Sequence, residues 1–321
     1  MKAIVFRRYG SPDVLEVADL ERPEPEDEQV LVQVRAASLN PFDWHRMRGE
    51  PYVLRQGEGI RKPKNIGLGV DVAGVVESVG RSVTRFKPGD EVFGMSARTL
   101  AEYARVAEAG IALKPANLSF AQAAAVPVAA TTALQGLRDK GAITAGQRVL
   151  VVGASGGVGT FAVQLAKAFG AHVSGVTSTG NVELVRSLGA EHVFDYKRED
   201  FTSAPERFDL IFDAVGDRSL ADLGRVLEPR GVVVLAGGGT SRKLGPLGRI
   251  LSARRRSKPE GRRFVFFMSH REQTDLLVLK EHLESGRIRP VVDRTFPLSE
   301  AAAAMRYLEA GHARGKVVVT V

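Results

Sequence analysis

The hydrophobic pattern of the chain changes near residue 120. Before it, short apolar runs alternate with polar positions and end at proline or glycine, as in KAIVF, EQVLVQVRAASLN, DVAGVVESVG and LAEYARV. This period-two pattern with frequent turns predicts a compact, mostly β module. After it, apolar runs typical of strands are separated by helical patterns. The strand-like runs are QRVLVVGA, AHVSGVTS, HVFDY and DLIFDAVG, and the helical patterns are VGTFAVQLAKAFG and NVELVRSLG. Strands that are apolar on both faces and separated by helices predict a doubly wound parallel sheet.

The remaining patterns extend this α/β arrangement. SLADLGRVLEP predicts a helix, GVVVLAGGG and FVFFMS predict strands, residues 272–285 predict a helix, and GKVVVTV predicts a last strand. The Ala-rich stretch from Phe120 predicts a helix that breaks at Pro127. With 321 residues, the chain has the length of about two domains.

Composition narrows the classes of protein to consider. The chain contains no cysteine, which excludes disulfides and thiolate metal sites and is typical of a cytoplasmic protein. No apolar window reaches the roughly 18 residues of a membrane span, so we expect no membrane association. The net charge of +8 is concentrated between Ser241 and Phe264. We interpret residues 242–263 as a solvated loop, with an arm that binds RNA or phosphate as the alternative; nucleic acid is not an expected partner.

The stretch GASGGVG at residues 153–159 admits two interpretations. Gly153-x-Ser155-x-Gly157 matches a hydrolase nucleophile elbow, and Asp213 with His270, His282 or His312 would complete a triad. Ala154-x-Gly156-x-x-Gly159 nearly matches the dinucleotide fingerprint, in which glycines admit a pyrophosphate at a helix N-terminus. The elbow has no use for Gly159, and the loop opens the first clear βαβ unit, so dinucleotide binding is favoured.

The end of the following strand bears on which dinucleotide binds. NAD sites usually carry a carboxylate there, about 20 residues after the glycines, for the ribose 2′-hydroxyl. Here the strand ends in VTSTGN, where Ser178, Thr179 and Asn181 offer hydroxyls and an amide. A neutral pocket rich in donors tolerates a 2′-phosphate, so the sequence predicts NADP(H).

Ten collinear blocks, from KAIVFRRYGSPDVLEV and AASLNPFDWHRMRG to RGKVVVTV, resemble the zinc-free quinone-oxidoreductase branch of the medium-chain dehydrogenases/reductases. The resemblance implies a discontinuous GroES-like catalytic domain (residues 1–122 and 267–321) and a Rossmann NADP-binding domain (residues 123–266). It also implies a homodimer. Relatives commonly carry Lys or Arg in the segment that reads STGN, whereas this chain has Gly180. Arg186 or Lys197 would then supply the charge, and some use of NAD(H) is expected.

The ligands of zinc-dependent relatives are replaced in this chain. By resemblance, Asn40 stands at the catalytic cysteine, Gly69-Val70-Asp71 at the Gly-His-Glu motif, and Val128 at the remaining ligand. Only residues 96–100 stand where the lobe that binds structural zinc would lie, so no metal is expected. Without a Lewis acid, conjugated carbonyls are easier hydride acceptors than simple ketones. We therefore expect NADPH-dependent reduction of quinones or α,β-unsaturated carbonyls. The alternatives are an NADP-dependent alcohol/aldehyde oxidoreductase, or a cofactor-binding protein that acts through RNA or a protein partner.

The site candidates follow from the resemblance and from position in the sequence. By resemblance, Asn40 and Thr132 are catalytic candidates. Tyr52, which stands near the substrate loop, is a third, with His45 or solvent as other proton donors. Asn40, Asp43 and Trp44 are expected in the substrate pocket, and Asp71 is expected to be structural. The expected cofactor contacts are Ser155, Gly156, Gly157, Val158, Ser178, Thr179, Asn181, Tyr196, Val215, Gly216, Gly237, Gly238, Gly239, Phe267, Met268 and Lys316. For Lys316, a surface lysine before an edge strand is the alternative.

Overall fold

The structure is a computed structural model that describes residues 1–237, 247–258 and 261–321. Two of the expected cofactor contacts, Gly238 and Gly239, lie outside the described residues. The strands are β1 (Lys2–Phe6), β2 (Leu15–Asp19), β3 (Gln29–Leu39), β4 (Asp71–Val79), β5 (Glu91–Met95), β6 (Tyr103–Ala107), β7 (Ile111–Leu113), β8 (Arg148–Val152), β9 (His172–Thr177), β10 (His192–Asp195), β11 (Phe208–Asp213), β12 (Leu227–Leu235), β13 (Arg263–Phe266), β14 (Val292–Pro297) and β15 (Lys316–Thr320). The helices are α1 (Pro41–Arg48), α2 (Arg55–Glu58), α3 (Phe120–Ala124), α4 (Pro127–Gln135), α5 (Gly157–Ala168), α6 (Val182–Ser187), α7 (Leu220–Arg225), α8 (Leu247–Arg256), α9 (Gln273–Glu284) and α10 (Ala301–Glu309).

The first compact unit comprises residues 1–131, 271–286 and 290–321. Its sheet has the order β14-β15-β3-β4-β5-β7, with β6 paired to β3, and β1 and β2 form a separate antiparallel pair. Only the β14–β15 pair of this sheet is parallel. Alternate residues of β3 and β4, including Val32, Val34 and Val72, are buried in the core. This is the mostly β module that the period-two pattern predicts.

The second compact unit comprises residues 132–270 and 287–289. Its sheet has the order β10-β9-β8-β11-β12-β13, and every pair of neighbouring strands is parallel. Helix α5 packs on β8 and β9, and α8 packs on β13. Leu150, Ile211 and Val233 on the central strands are fully buried, as strands covered on both faces require. The prediction of a mostly β domain and a second domain with a doubly wound parallel sheet is confirmed.

The division between the units falls later in the chain than the resemblance implies. The first unit extends to residue 131 rather than 122, because α3 packs on β3 and β4 of the first sheet. Residues 267–270 stay with the second unit. Residues 287–289 also join it, since Gln164 on α5 exchanges hydrogen bonds with the backbone of Arg289.

Three local predictions are corrected by the structure. The helix predicted through Pro229 ends at Arg225, because Leu227 already pairs with Phe208 on β11. Part of the basic segment predicted as a solvated loop is the helix α8. The last strand is not an edge strand, because β15 lies between β14 and β3.

Candidate cofactor and active site

The glycine loop, residues 153–159, connects β8 to α5 in the second unit. Gly153 has a φ of +80°, a left-handed conformation that favours glycine. A Cβ at Gly159 would lie 2.0 Å from the carbonyl oxygen of Gly153, so this glycine allows the helix to pack on the loop. A Cβ at Gly156 would meet only that same oxygen, at 3.4 Å, which leaves open space above the Gly156 backbone. The unpaired N–H groups in the first turn of α5 are suited to an anion in that space.

Ser155 belongs to a network of hydroxyl and amide groups. Its Oγ accepts a hydrogen bond from Thr177 Oγ1 at 2.7 Å and one from Asn181 Nδ2 at 3.2 Å. The Asn181 amide also donates to Ser178 Oγ at 3.2 Å. The expected phosphate contact and two of the expected 2′-phosphate contacts are therefore brought together at the ends of β8 and β9.

The structure does not support the hydrolase interpretation, because the carboxylate of the proposed triad is already bound to other groups. Asp213, the only carboxylate proposed for the triad, accepts hydrogen bonds from the backbone N–H groups of Val215 and Gly216 at 3.1 and 2.9 Å. Its other oxygen, Oδ2, lies 2.5 Å from Arg249 Nη2. Burial raises the pKa of Asp213, and the hydrogen bonds and Arg249 oppose that rise. Both oxygens of this carboxylate therefore stabilise the loop after β11 and its contact with Arg249 and are not available to a histidine.

The sequence predicts Arg249 in a solvated loop, whereas the structure places it on α8. Its side chain is only 12% exposed, and its Nη1 donates to the carbonyl oxygens of Gly216 and Arg218 at 3.1 and 2.7 Å. Helix α8 thus supplies the guanidinium that holds the loop carrying Val215 and Gly216. No local signal distinguishes this arginine from its neighbours, because its partner Asp213 lies on β11, 36 residues earlier in the chain.

The far end of the expected cofactor site includes one carboxylate that the sequence analysis did not consider. Asp195 ends β10, and the hydroxyl of Thr179 is the main cause that lowers the pKa of Asp195. Lys197 and the half-exposed Tyr196 follow it directly. Of the two expected substitutes for the missing charge, Arg186 forms an ion pair with Glu183 at 2.7 Å, whereas Lys197 is exposed.

The residues expected near the nicotinamide differ in exposure. Thr132 and Ser269 share a hydrogen bond of 2.8 Å between their hydroxyls, which ties α4 to the segment after β13. The Phe267 ring is buried and packs against Gly136, where a Cβ would lie 3.0 Å from Phe267 Cζ, while Met268 is 74% exposed. Phe267 therefore serves as a packing residue, and Met268 is the side chain that a ligand can reach.

The Asp71 cluster, formed by Ser38, Asn40, Asp71 and Lys316, is the most polar part of the core of the first unit. Asp71 Oδ2 accepts from Ser38 Oγ at 2.6 Å, Asn40 Nδ2 at 2.9 Å and Lys316 Nζ at 3.2 Å. Its Oδ1 accepts from the backbone N–H of Val128 at 2.8 Å. Asp71 is fully buried, so these donors and the lysine charge compensate for the loss of solvent. The expectation that Asp71 is structural agrees with this geometry.

Lys316 is not the surface lysine that was considered as an alternative. It is 4% exposed, and its ammonium donates to Leu39 O at 3.0 Å and Asn40 Oδ1 at 2.5 Å in addition to Asp71. These three acceptors use all the N–H bonds of the ammonium. Its expected contact with the cofactor is therefore at odds with the structure, because a buried ammonium with three partners has no bond to offer a phosphate.

Helix α1 positions Asn40. Asn40 is the N-cap, Pro41 follows it, and the Asn40 backbone N–H donates to Asp43 Oδ2 at 2.9 Å. Asp43 also accepts from the Gly69 N–H at 3.1 Å and is completely buried, so its carboxylate holds the loop rather than facing a substrate. Burial raises the pKa of Asp43 to about 6, and the nearby Asp71 also raises it, while its hydrogen bonds and Lys316 oppose that rise.

The aromatic candidates on and after α1 serve different purposes. Trp44 stacks on His45, with ring centroids 3.7 Å apart, and packs against the core. His45 Nδ1 bonds to the carbonyl oxygen of Glu50 at 2.7 Å, and burial lowers the pKa of His45. Tyr52 is 45% exposed, with the guanidinium of Arg55 over its ring. Of these three residues, Tyr52 has the side chain most accessible to a ligand.

The residues that by resemblance stand at zinc-ligand positions do not fit zinc. Asn40 and the backbone of Val128 both converge on Asp71, so the structure brings the substituted positions together. An amide and two valines offer no thiolate or imidazole, and the Lys316 ammonium lies 2.5 Å from the Asn40 oxygen. Among the residues that the structure describes, no group of three or more histidine or acidic side chains could hold a metal ion.

Two family models match the chain. Residues 26–135 match the alcohol dehydrogenase GroES-like domain, and residues 188–319 match a model described as zinc-binding dehydrogenase. The chain is 40% identical to 2-methylene-furan-3-one reductase of Solanum lycopersicum, over 99% of the chain and 79% of that protein. It is 39% identical to the chloroplastic NADPH-dependent alkenal/one oxidoreductase of Arabidopsis thaliana, with the same coverage.

The chain belongs to the medium-chain dehydrogenase/reductase family. Among solved structures, the quinone oxidoreductase from Coxiella burnetii superposes on it with a TM-score of 0.87 at 33% identity, over 100% of this chain and 99% of that chain. These similarities place this medium-chain dehydrogenase/reductase in the quinone-oxidoreductase-like branch, and the resemblance stated from sequence is confirmed.

Proposed function

We propose that the protein is a zinc-independent, NADPH-dependent oxidoreductase that transfers hydride to quinones or α,β-unsaturated carbonyls. The observation that supports this most directly is the Asp71 cluster, in which Asn40, which by resemblance stands at a zinc ligand, is hydrogen-bonded to the Lys316 ammonium and to Asp71. The names of the enone reductase and quinone oxidoreductase relatives agree with this proposal.

The second unit supplies a cradle that fits a dinucleotide. The open space above Gly156, the first turn of α5 and the hydroxyl of Ser155 suit a pyrophosphate. Ser178, Asn181 and the exposed Lys197 suit a 2′-phosphate, which favours NADPH over NADH. When bound, NADPH supplies the hydride.

Asn40 is the residue that we assign to the substrate carbonyl. Its amide nitrogen has two N–H bonds, of which one donates to Asp71. Lys316 binds the amide oxygen, so the amide cannot rotate to present its oxygen to the substrate. The second N–H is then available to donate to a carbonyl oxygen, which gains negative charge when hydride adds to the β-carbon or the quinone ring.

The reaction also needs one proton for each hydride. Tyr52 is our candidate donor because it is exposed and phenolic, whereas Asp43 is sealed in the core. Water is the competing donor. Full turnover in a Tyr52→Phe variant would assign the proton to water.

The decisive experiment measures oxidation of NADPH and NADH against a panel of quinones, enones, aldehydes and alcohols. We expect reduction of quinones or enones with NADPH, at a rate that a strong zinc chelator leaves unchanged. Oxidation of simple alcohols that is lost on chelation and restored by zinc would contradict the proposal, because it requires the Lewis acid that Asn40, Val70 and Val128 do not bind.

The proposal also includes the cellular compartment and the oligomeric state of the protein. In the described part of the chain, no helix has the length and apolar character of a membrane span. We also propose a cytoplasmic homodimer, supported by the absence of cysteine and by the resemblance to the family. Light scattering of the purified protein and cell fractionation would test these two points.

A further inference from the structure

A basic pocket lies in the second unit, away from the residues discussed above. Its volume is about 760 Å³. Of the described residues that line it, six are cationic: Arg207, Arg225, Arg255, Arg256, Lys258 and Arg262. No aspartate or glutamate is among the described residues that line it.

The pocket is formed at the amino-terminal edge of the parallel sheet. Arg207 directly precedes β11, Arg262 directly precedes β13, and Pro229 lies near the start of β12. The glycine loop and Gly216 instead follow β8 and β11, at the carboxyl-terminal edge, where parallel sheets bind nucleotides. The basic pocket is therefore separate from the proposed cofactor site, and its existence does not depend on the proposed function.

Three of the cations already have hydrogen-bond or ion-pair partners within the protein. Arg207 donates to the carbonyl oxygen of Arg225 at 2.8 Å and Arg262 donates to that of Leu227 at 2.8 Å, so these two guanidinium groups shape the wall. Arg225 pairs with Asp222 at 3.2 Å.

The three cations at the end of α8 have a different character. Arg255, Arg256 and Lys258 are exposed and form no ion pair with another described residue. A helix C-terminus favours cations, but that effect extends over one turn and does not account for cations that converge from other segments of the chain.

We propose that the basic pocket binds a small polyanion that carries several phosphate groups. Gathering like charges around one cavity is unfavourable unless an anion offsets them, and guanidinium groups bind phosphate through two parallel hydrogen bonds. The volume is in the range of small-molecule sites. The same chemistry is offered by a soluble polyphosphorylated metabolite and by a polyphosphorylated lipid headgroup.

The test uses inorganic tripolyphosphate as the probe, with the cofactor site saturated by NADPH so that phosphate cannot bind there. At about 0.15 M salt we expect saturable binding by calorimetry and a rise in thermal stability that follows mass action. The triple variant R255S/R256S/K258S should bind at least tenfold more weakly while its NADPH oxidation is unchanged. The matched control R61S/K62S/K64S removes three exposed, clustered cations from the first unit and should bind like the wild type.

Equal binding by the wild type and the pocket variant would overturn the proposal, as would no binding at all. Binding of homopolymeric RNA without binding of tripolyphosphate would also overturn it. Sedimentation with vesicles that contain bisphosphorylated inositol lipid, but not with phosphatidylserine vesicles, would support it and assign the lipid source. Binding of soluble tripolyphosphate without vesicle sedimentation would support it and assign the soluble source.

Discussion

A lysine that is almost fully buried depends on its partners. Lys316 has Asp71, Asn40 and the Leu39 carbonyl as acceptors, and each of these would lose a donor if the ammonium were removed. The cost is largest at Asp71, which would remain buried as an uncompensated charge. The amide of Asn40 would also become free to rotate.

Replacing Lys316 with Met therefore tests the orientation of Asn40. We expect the free energy of unfolding to fall by about 3 kcal/mol and kcat to fall tenfold or more, while the KM for NADPH changes little. Steady-state kinetics with NADPH and denaturant unfolding provide the measurements. Lys87→Met, a change at an exposed lysine, is the control and should affect neither quantity.

A large rise in the KM for NADPH at unchanged kcat would instead favour the cofactor contact that the family resemblance implies for Lys316. The two roles are thus separated by which kinetic constant changes.

Lys197 and Arg186 offer a comparison for cofactor choice. Removing the exposed charge with Lys197→Ala should raise the KM for NADPH by about tenfold, in line with the loss of one charge-assisted hydrogen bond of about 1.5 kcal/mol, and should leave the KM for NADH unchanged. Arg186→Ala should have a smaller effect, because Glu183 already neutralises that guanidinium. If the two variants are equivalent, Lys197 does not contact the 2′-phosphate.

At the scale of elements, two glycines of the glycine loop, Gly159 and Gly156, are required for different reasons. At Gly159 the limit is internal, because a methyl group would collide with the Gly153 carbonyl. At Gly156 the structure has room for a methyl group, and the restriction would come from a bound pyrophosphate.

Alanine at each position should therefore have a different consequence. Gly159→Ala should lower the melting temperature of the cofactor-free protein, because the loop or α5 must shift. Gly156→Ala should leave that temperature nearly unchanged and weaken NADPH binding at least tenfold, measured by the fluorescence of the bound nicotinamide. Normal NADPH affinity in Gly156→Ala would argue against a pyrophosphate at this loop.

The elements that sequence predicted well are those whose signal is local. The strands of the second unit are continuous apolar runs between glycines, and this pattern predicts β8, β9 and β11. The hydrophobic pattern predicts no helix at α1, although Asn40-Pro41-Phe42-Asp43 carries the signal of a capped helix start. The end of α7 was misplaced because pairing with β11 overrides helical propensity.

The candidate site was predictable to a smaller extent. The glycine loop and its hydroxyl-bearing neighbours follow from spacing. The burial of Lys316 does not follow from the sequence, because lysine is normally exposed and its partner Asp71 lies 245 residues away in the chain. Arg249 was hidden in the same way within a run of exposed arginines.

At the scale of the whole molecule, Asp43 contributes a pH-dependent part of the stability. Burial raises its pKa in the folded state to about 6, from an ordinary value of 3.8. A raised carboxyl pKa means that folding favours the protonated form. The contribution of Asp43 to stability is therefore fully present below pH 4 and is lost as pH rises through 6, by about 3 kcal/mol in total.

The variant Asp43→Asn removes this titration. We expect the difference in the free energy of unfolding, wild type minus variant, to fall between pH 4 and pH 7, as measured by denaturant titrations at several pH values. A difference that stays constant across this range would mean that the carboxylate titrates normally.

The position of Lys316 constrains any attempt to turn this scaffold into a metalloenzyme. Installing two cysteines and a histidine at Asn40, Val128 and Val70 would leave the ammonium beside the new ligands. A divalent ion about 4 Å from that positive charge would meet a repulsion of roughly 8 kcal/mol at an effective dielectric constant of 20. The lysine would have to be neutralised before any ligand could be useful, so a stepwise design or an evolutionary reversal has to begin at the C-terminal strand, far in sequence from the positions that define the metal site.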